Sequence, residues 1–270
     1  MTSLNDLVGR LESIWTDEDG LRMHTRMSID PVDPTLTPIV CVHGLSVSSR
    51  YMVPTAVRLA PFRRVYAPDL PGFGKSDHPA KILDIPELTD ALIRRMNTFG
   101  INAAVLLGNS IGCQIITDLA LRYPERITRA VFTGPTVDRC GRTMLAQALR
   151  LARNALHEPW SSIFTQARDY WACGLHRTVS TLQYALADHI EDKLPRMHIP
   201  TLLVRGALDP IAPQRWVEEL ATLLPHGQVV VIPNVPHAVN YDTPAQLVQI
   251  ILPFLTEQTP IHAVAQELQP

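Results

Sequence analysis

A serine flanked by glycines stands at the boundary between a strand-like and a helix-like segment. Residues 108–112 read Gly-Asn-Ser-Ile-Gly; they follow the apolar run AAVLL and open the helix-like stretch IGCQIITDLALR. A turn that passes sharply from strand to helix needs small flanking residues, which Gly108 and Gly112 supply. We therefore expect Ser110 to project above a sheet, where its hydroxyl can act as a nucleophile.

His237 is the best candidate for the base that a serine nucleophile requires. It lies in the loop between the strand-like run QVVVI and the last helix-like segment. The other histidines fit less well, since they precede strands or lie in other loops, in the terminal segments or in an arginine-rich stretch. His43 belongs to a separate turn and is better explained as a structural hydrogen bonder beneath it.

An acid must orient the imidazole and stabilise its charged form. Asp209 follows the strand-like run TLLV, in the sequence Arg-Gly-Ala-Leu-Asp-Pro. Asp138, which follows the preceding strand-like run, is the alternative acid. The order Ser110, Asp209, His237 is the serine, acid, histidine order of one known triad arrangement.

Two backbone N–H groups are candidates for stabilising negative charge that develops on a substrate oxygen. One belongs to Ile111, directly after the nucleophile, and the other to Leu45, in the turn His-Gly-Leu-Ser that follows PIVCV. Ser46 could add a hydroxyl donor, although simple loop polarity explains this serine better. A second glycine-rich turn, 68–76, ends in Gly-Lys-Ser but runs into Asp-His-Pro instead of a helix, so a phosphate loop is excluded. Asp69 is expected to bind backbone donors there.

The order of strand-like and helix-like segments predicts an α/β fold. Short runs apolar on both faces are typical of parallel strands covered by helices, and they occupy residues 38–42, 64–67, 103–107, 128–133, 201–204 and 228–232. Segments with helical periodicity lie between or after them, at 85–99, 111–122, 213–224 and 244–255. Alternation of this kind gives a sheet with right-handed crossovers.

Residues 136–197 interrupt this alternation, because they contain no strand-like run. Their composition is helical and rich in arginine and aromatic residues, which predicts a helical cap between two core segments, 1–135 and 198–270. Arginines recur at roughly helical spacing and could bind a substrate carboxylate; a solvated helix face is the simpler explanation. They are Arg139, Arg142, Arg150 and Arg153.

Composition narrows the function classes further. The chain has 270 residues, 46% of them hydrophobic and 19% charged, with a net charge of −2. This excludes a disordered protein and gives no electrostatic basis for nucleic-acid binding. No apolar run could span a membrane, and no signal peptide is recognisable, so we expect a cytoplasmic protein without a membrane partner. The four cysteines show no metal-ligand or disulfide pattern.

These motifs together resemble the α/β-hydrolases of the large capped class across nearly the whole chain. The resemblance implies a mostly parallel, eight-stranded-type sheet flanked by helices, with the cap inserted after the sixth strand. Gly-Asn-Ser-Ile-Gly, with Asn109 before the nucleophile, is similar to the carbon–carbon bond hydrolases that cut meta-cleavage products of aromatic degradation. Ser110 itself differs from the aspartate that haloalkane dehalogenases and epoxide hydrolases place there.

The predicted function is a serine hydrolase with no cofactor and no metal, acting on a small, largely apolar ester, lactone or activated C–C bond. Two differences from the carbon–carbon hydrolases favour an ester or lactone: the oxyanion turn is poorer in glycine, and Ala238 follows the histidine where those enzymes often have an aromatic residue. Asn109, Ser46 and Arg139 are the predicted substrate-binding residues. A lyase or a non-catalytic ligand-binding protein on the same fold is the alternative, and a homo-oligomer is compatible with the sequence.

Overall fold

A mostly parallel sheet forms the centre of the molecule. The computed structural model describes residues 11–29 and 32–256. The strands are Leu11–Glu18 (β1), Leu21–Ser28 (β2), Ile39–Val42 (β3), Val65–Pro68 (β4), Ala104–Asn109 (β5), Ile127–Thr133 (β6), Thr201–Gly206 (β7) and Gly227–Ile232 (β8). They form one eight-stranded sheet in the order β1-β2-β4-β3-β5-β6-β7-β8. Only β2 pairs antiparallel, with β1 and β4, so the carboxyl ends of the remaining strands share one edge.

Helices connect the strands. In the described ranges they are Ser49–Leu59 (α1), Ile85–Thr98 (α2), Ile111–Arg122 (α3), Met144–Ala155 (α4), Trp160–Cys173 (α5), Leu175–Ala187 (α6), Ile190–Lys193 (α7), Gln214–Leu223 (α8), Val239–Asp242 (α9) and Pro244–Thr256 (α10). Helix α2 begins with a capping box, in which Asp84 accepts the Glu87 N–H and Glu87 accepts the Asp84 N–H. No described helix has the length and apolar character needed to cross a membrane.

Two apolar layers lie on opposite faces of the sheet. In β5, Leu106 packs into one layer with residues of α2, α3 and α8, while Val105 and Leu107 pack into the other with α1 and α10. Alternate residues of a strand point to opposite faces, so a strand covered by helices on both sides must be apolar throughout. This burial explains the continuous apolar runs in the sequence.

The predicted fold class is confirmed, and all six strand-like runs are strands of the sheet. The structure adds the β1–β2 hairpin and helix α1, which the sequence patterns did not predict. Helix α1 contains Pro54, a residue that counts against a helix interior, and its N-cap is Ser48, whose hydroxyl accepts the Arg50 N–H. The described part of the segment between β6 and β7 contains helices α4 to α7 and no strand. All four cysteines are free thiols.

Candidate active site

Ser110 occupies a strained turn between β5 and α3. Its backbone has φ 56° and ψ −119°, a conformation that costs a side-chain-bearing residue on the order of 1–3 kcal/mol. Gly112 lies against the end of β3, where an added Cβ would come within 2.5 Å of the Val42 carbonyl oxygen. A larger residue at this position would push the turn off the sheet. The close packing holds the Ser110 hydroxyl at the carboxyl edge of the sheet.

His237 and Asp209 form a buried, hydrogen-bonded pair. The loops after β7 and β8 bring them together, with His237 Nδ1 at 2.7 Å from Asp209 Oδ2. Asp209 Oδ1 accepts the N–H groups of Ile211 and Ala212, at 2.7 and 3.0 Å. The carboxylate is therefore held on both oxygens. It orients the imidazole with Nδ1 as donor and leaves Nε2 as the nitrogen that can take a proton.

Opposing effects act on the pKa of His237. Burial by itself lowers the pKa, whereas the charge of Asp209 and its hydrogen bond raise it, and the net pKa lies above the ordinary value of 6.5. Glu158 and Asp242 contribute in the same direction as Asp209. The surroundings therefore favour an imidazolium, the form a general base takes once it has accepted a proton.

Asp138, the alternative acid, is bound elsewhere. Its buried carboxylate pairs with Arg150, at 2.6 Å, and with both terminal nitrogens of Arg215, of which Nη1 lies 3.0 Å from Oδ1. Burial would raise the pKa of Asp138, but the hydrogen bonds from Arg215 and Arg150 lower it. Its position anchors α4 and α8 to the loop after β6, whereas the carboxylate that meets His237 belongs to Asp209.

Leu45 and Ile111 both line the cavity that contains Ser110. The backbone N–H of neither residue donates a hydrogen bond to a described residue. The turn that carries Leu45 is fixed from below by His43, whose Nε2 accepts the Leu70 N–H at 3.1 Å and whose Nδ1 donates to the Gly44 carbonyl at 2.9 Å. Burial lowers the pKa of His43, which keeps its ring neutral in this bonding pattern.

Asp69 binds backbone donors between the two turns. Its oxygens accept the N–H groups of Ser49, at 2.6 Å, and Lys75, at 2.9 Å, and Oδ2 lies 2.7 Å from His24 Nδ1. Burial alone would raise the pKa of Asp69, but the His24 hydrogen bond and charge, with His43 and the Lys75 N–H, bring the pKa to about 2. The carboxylate joins β2, α1 and the turn after β4, as predicted for a structural turn.

The three predicted substrate-binding residues lie in different surroundings. Asn109 lines the cavity, and its amide donates to Thr133. Ser46 is buried, and its hydroxyl lies 2.7 Å from Thr178 Oγ1 and away from the cavity. Arg139 lies away from the cavity lining: its side chain is 59% exposed and pairs with Glu219 at 2.9 Å on the surface.

The other arginines of the predicted stripe also lie away from the cavity lining. Arg142 pairs with Glu191 at 2.8 Å, and Arg150 is held by Asp138. Arg153 is exposed to solvent. Arg150 and Arg153 lie on α4, whereas Arg139 and Arg142 precede it, so the predicted single helical stripe does not form. A carboxylate bound at the cavity would therefore meet none of them.

Ser110, His237, Leu45 and Ile111 line one cavity, which is partly open to solvent. The walls consist of apolar and uncharged polar side chains, and no lysine or arginine contributes to the described lining. The other wall residues are Gly44, Val47, Tyr51, Asn109, Thr136, Val137, Gln147, Leu151, Asn154, Gln166, Tyr170, Leu182 and Ile211.

Sequence reasoning missed several polar residues of this cavity. Asn154 of α4 accepts the His237 N–H at 3.0 Å through Oδ1 and donates to Glu158, so the segment between β6 and β7 contacts the histidine loop directly. Thr136 Oγ1 lies 3.5 Å from Ser110 Oγ. The only sequence signal for Asn154 is an amide among the apolar and arginine residues of α4, which does not reveal the direction of the side chain.

Gly134→Ala is expected to disturb the histidine–aspartate pair. Gly134 has φ +54°, and a Cβ there would lie 2.6 Å from His237 Cε1 and 3.1 Å from Asp209 Oδ2. The imidazole must move to avoid this clash, and displacements near 1 Å cost about 10²-fold in turnover. We expect kcat to fall by about that factor, measured on any ester that the protein hydrolyses.

Gly100→Ala is the matched control for this change. Gly100 has φ +65°, and an added Cβ meets nothing within 4 Å. Both variants carry the same type of backbone strain and should lose similar melting temperature, but only the change at 134 should reduce kcat. Equal kcat in the two variants would show that Gly134 does not position the pair.

The sheet and the serine turn together define the class of the protein. A mostly parallel eight-stranded sheet with an antiparallel second strand, and a serine at the turn from β5 to α3, are the framework of the α/β-hydrolases.

Comparison with known proteins agrees with this class. The sequence model of the alpha/beta hydrolase family matches residues 39–250, so the chain belongs to this family and is a hydrolase. It is 26% identical over 261 residues to the 2-hydroxymuconate semialdehyde hydrolase of Pseudomonas sp. (strain CF600), covering 82% of this chain and 87% of that protein.

Two further similarities differ in extent. The abhydrolase domain-containing protein abhd-5.2 of Caenorhabditis elegans is 32% identical over 113 residues, which cover 40% of this chain and only 25% of that protein. The solved structure of the 2-hydroxy-6-oxo-6-phenylhexa-2,4-dienoate hydrolase from Rhodococcus sp. strain RHA1 superposes with a TM-score of 0.73 at 19% identity, covering 91% of this chain and 99% of that one. At this identity, the similarity to the Rhodococcus structure shows a shared fold and nothing further.

Proposed function

We propose that the protein is a serine hydrolase in which Ser110 is the nucleophile, His237 the general base and Asp209 the orienting acid. The observation that carries this proposal is the buried His237–Asp209 pair at the cavity into which the strained Ser110 turn opens. Asp138 is unsuited to this role, because two arginines already bind its carboxylate.

The proposed reaction proceeds through an acyl-enzyme. Ser110 Oγ attacks the substrate carbonyl carbon while its proton passes to His237 Nε2, and the imidazolium is stabilised by Asp209. The oxyanion accepts hydrogen bonds from the N–H groups of Leu45 and Ile111. The C–O bond to the leaving alkoxide then breaks, and the alkoxide takes the proton from His237. Water repeats the sequence on the acyl-enzyme, releasing the acid and restoring Ser110.

The segment 136–197 acts in this proposal as a cap that shapes the substrate site. Three residues of α4 and two of α5 line the cavity, together with Leu182 of α6. Asn154 fixes the backbone of His237, so the cap also contributes to the position of the base. The core of the enzyme is then formed by 1–135 and 198–270.

The walls of the cavity favour a small, neutral and largely apolar acyl substrate. Apolar side chains such as Leu151 and Ile211 supply contact area, while the amides of Gln147 and Gln166 can bind neutral polar groups. A substrate carboxylate would find no lysine or arginine among the described wall residues to compensate its desolvation. An ester or lactone therefore fits better than an acidic dienoate.

Labelling with a fluorophosphonate tests the proposed nucleophile. We expect one covalent phosphonate per chain, mapped by mass spectrometry to the peptide that contains Ser110, because the triad activates only this hydroxyl. Heat-denatured protein is the control and should remain unlabelled. Labelling at another serine, or failure to label the native protein, would contradict the proposal.

Hydrolysis of a C–C bond is the second candidate, since a curated relative of 26% identity is named a 2-hydroxymuconate semialdehyde hydrolase. Comparing a short-chain aryl ester with a 2-hydroxy-6-oxo-dienoate distinguishes the two. We expect the ester to have the higher kcat/KM, because the walls hold no cation for the dienoate carboxylate. A kcat/KM for the dienoate about 10²-fold above that of the best ester would reverse the assignment.

A further inference from the structure

Large apolar side chains are exposed on the outer side of helices α4 and α5. Trp160, Phe164 and Trp171 are 83%, 81% and 90% exposed. They belong to a set that we call the outer helical face: Leu145, Leu149, Leu156, Trp160, Phe164, Trp171 and Leu175. Scattered exposed apolar residues are ordinary, but a concentration of this size marks a contact site.

The spacing within the outer helical face is regular. Residues 145, 149 and 156 follow one another by four and seven positions, and so do 160, 164 and 171. Such positions fall on one side of an α-helix. The opposite sides of the same helices carry Gln147, Leu151, Gln166 and Tyr170, which line the cavity at Ser110. Each helix therefore has one face used by the cavity and a second apolar face that no described residue covers.

The charges beside the outer helical face are of one sign. Arg153 and Arg168 are exposed, and neither forms an ion pair with a described residue. Two acids, Glu158 before α5 and Asp169 within it, are engaged by neighbouring side chains. Glu158 accepts hydrogen bonds from Ser162 and other side chains, and Asp169 accepts one from Ser48. Apolar residues, two tryptophans and unpaired arginines together are typical of helices that lie on anionic lipid surfaces.

We propose that the outer helical face binds the surface of an anionic lipid bilayer. Its apolar side chains would enter the headgroup region, while Arg153 and Arg168 contact lipid phosphates. A second copy of the chain fits less well, because a two-fold contact would set the same arginines of both copies against each other. Sequence reasoning predicted no membrane partner because it considered only spanning segments. A surface helix differs, since its apolar residues are spaced three or four apart.

Vesicle flotation tests this proposal without depending on catalysis. The protein is mixed with large vesicles of phosphatidylglycerol and phosphatidylcholine, or of phosphatidylcholine alone. We expect binding to the anionic vesicles, weakening as salt rises from about 0.05 M to about 0.5 M. Binding should shift the tryptophan emission to shorter wavelength. Ser110→Ala should bind equally well, which separates this result from the proposed catalysis.

Variants locate the binding surface. Trp160→Ser/Phe164→Ser/Trp171→Ser should lower the apparent affinity by about tenfold or more, and Arg153→Gln/Arg168→Gln should weaken anionic selectivity. Phe62→Ser is the matched control, because Phe62 is 48% exposed after α1, outside this face, and should bind like wild type. All variants should keep their activity on a soluble ester, which shows that they are folded.

Three results would overturn the proposal. The first is absence of binding to both kinds of vesicle. The second is binding that the triple serine variant and the Phe62→Ser control retain equally. The third is a dimer, measured by light scattering, that the triple serine variant converts to a monomer; this would assign the outer helical face to a second copy of the chain.

Discussion

Ser110→Ala is expected to lower kcat by about 10⁴-fold or more, while the protein keeps its melting temperature within a few degrees. The hydroxyl is the only group removed, and among the described residues it forms one hydrogen bond, with Thr136 Oγ1 at 3.5 Å, so little packing is lost. The measurement is steady-state hydrolysis of an aryl ester, with circular dichroism to establish folding. Near-normal turnover would refute the serine hydrolase proposal.

Ser46→Ala is a suitable control for this loss. Ser46 also has a positive φ, 55°, and lies in the neighbouring turn, but its hydroxyl bonds to Thr178. Removing it should change kcat by less than about tenfold, because the Leu45 amide, and not this hydroxyl, stabilises the oxyanion in the proposed reaction. A loss comparable with that of Ser110→Ala would give Ser46 a direct part in catalysis.

Asp209→Asn is expected to lower kcat by roughly 10³- to 10⁴-fold. The amide cannot stabilise the imidazolium, and its NH₂ group favours the wrong imidazole tautomer at His237. The hydrogen bonds to Ile211 and Ala212 use Oδ1, which the amide oxygen can replace, so the fold should be kept. Asp138→Asn is the matched comparison; it should lower the melting temperature through the lost Arg150 and Arg215 pairs and leave kcat largely unchanged. The opposite pattern would make Asp138 the acid.

The pH profile gives an independent measure of the same pair. In the proposed mechanism His237 must be neutral in the free enzyme, so kcat/KM should fall as the pH drops through the pKa of His237, which lies above 6.5. In Asp209→Asn the effects that raise this pKa are reduced, and burial, which lowers it, remains. The acid limb should therefore move to lower pH. An unchanged limb would mean that another group controls it.

The sequence was informative about the core of the sheet because a strand buried on both faces appears in the sequence as a continuous apolar run. Residues 103–107 and 201–204 are apolar on both faces, and both are central strands. The strands of the β1–β2 hairpin contain no such apolar run. The buried positions of β2 include His24, Thr25 and Arg26, whose burial is tolerated because Asp69 and Ser49, far away in the chain, bind two of them.

The sequence also showed that Ser110, Asp209 and His237 lie just after the ends of strands, because each follows an apolar run within a few residues. Neither the partner of Asp138 nor the direction of the cap arginines could be obtained in this way. Asp138 meets Arg215 across 77 positions of chain, and Arg139 meets Glu219. Such pairs depend on how α4 and α8 pack, which no periodicity encodes.

The sequence by itself thus determined the order of strands β3 to β8, the serine turn and the helical nature of the segment between β6 and β7. These depend on contacts between residues close together in the chain, where residue type and spacing are sufficient. Only the tertiary structure decided which acid contacts His237, which arginines lie away from the cavity, and which helix faces remain uncovered. Those features depend on pairing between distant segments, and the stability of each pair is set by the burial and the partners that the complete fold provides.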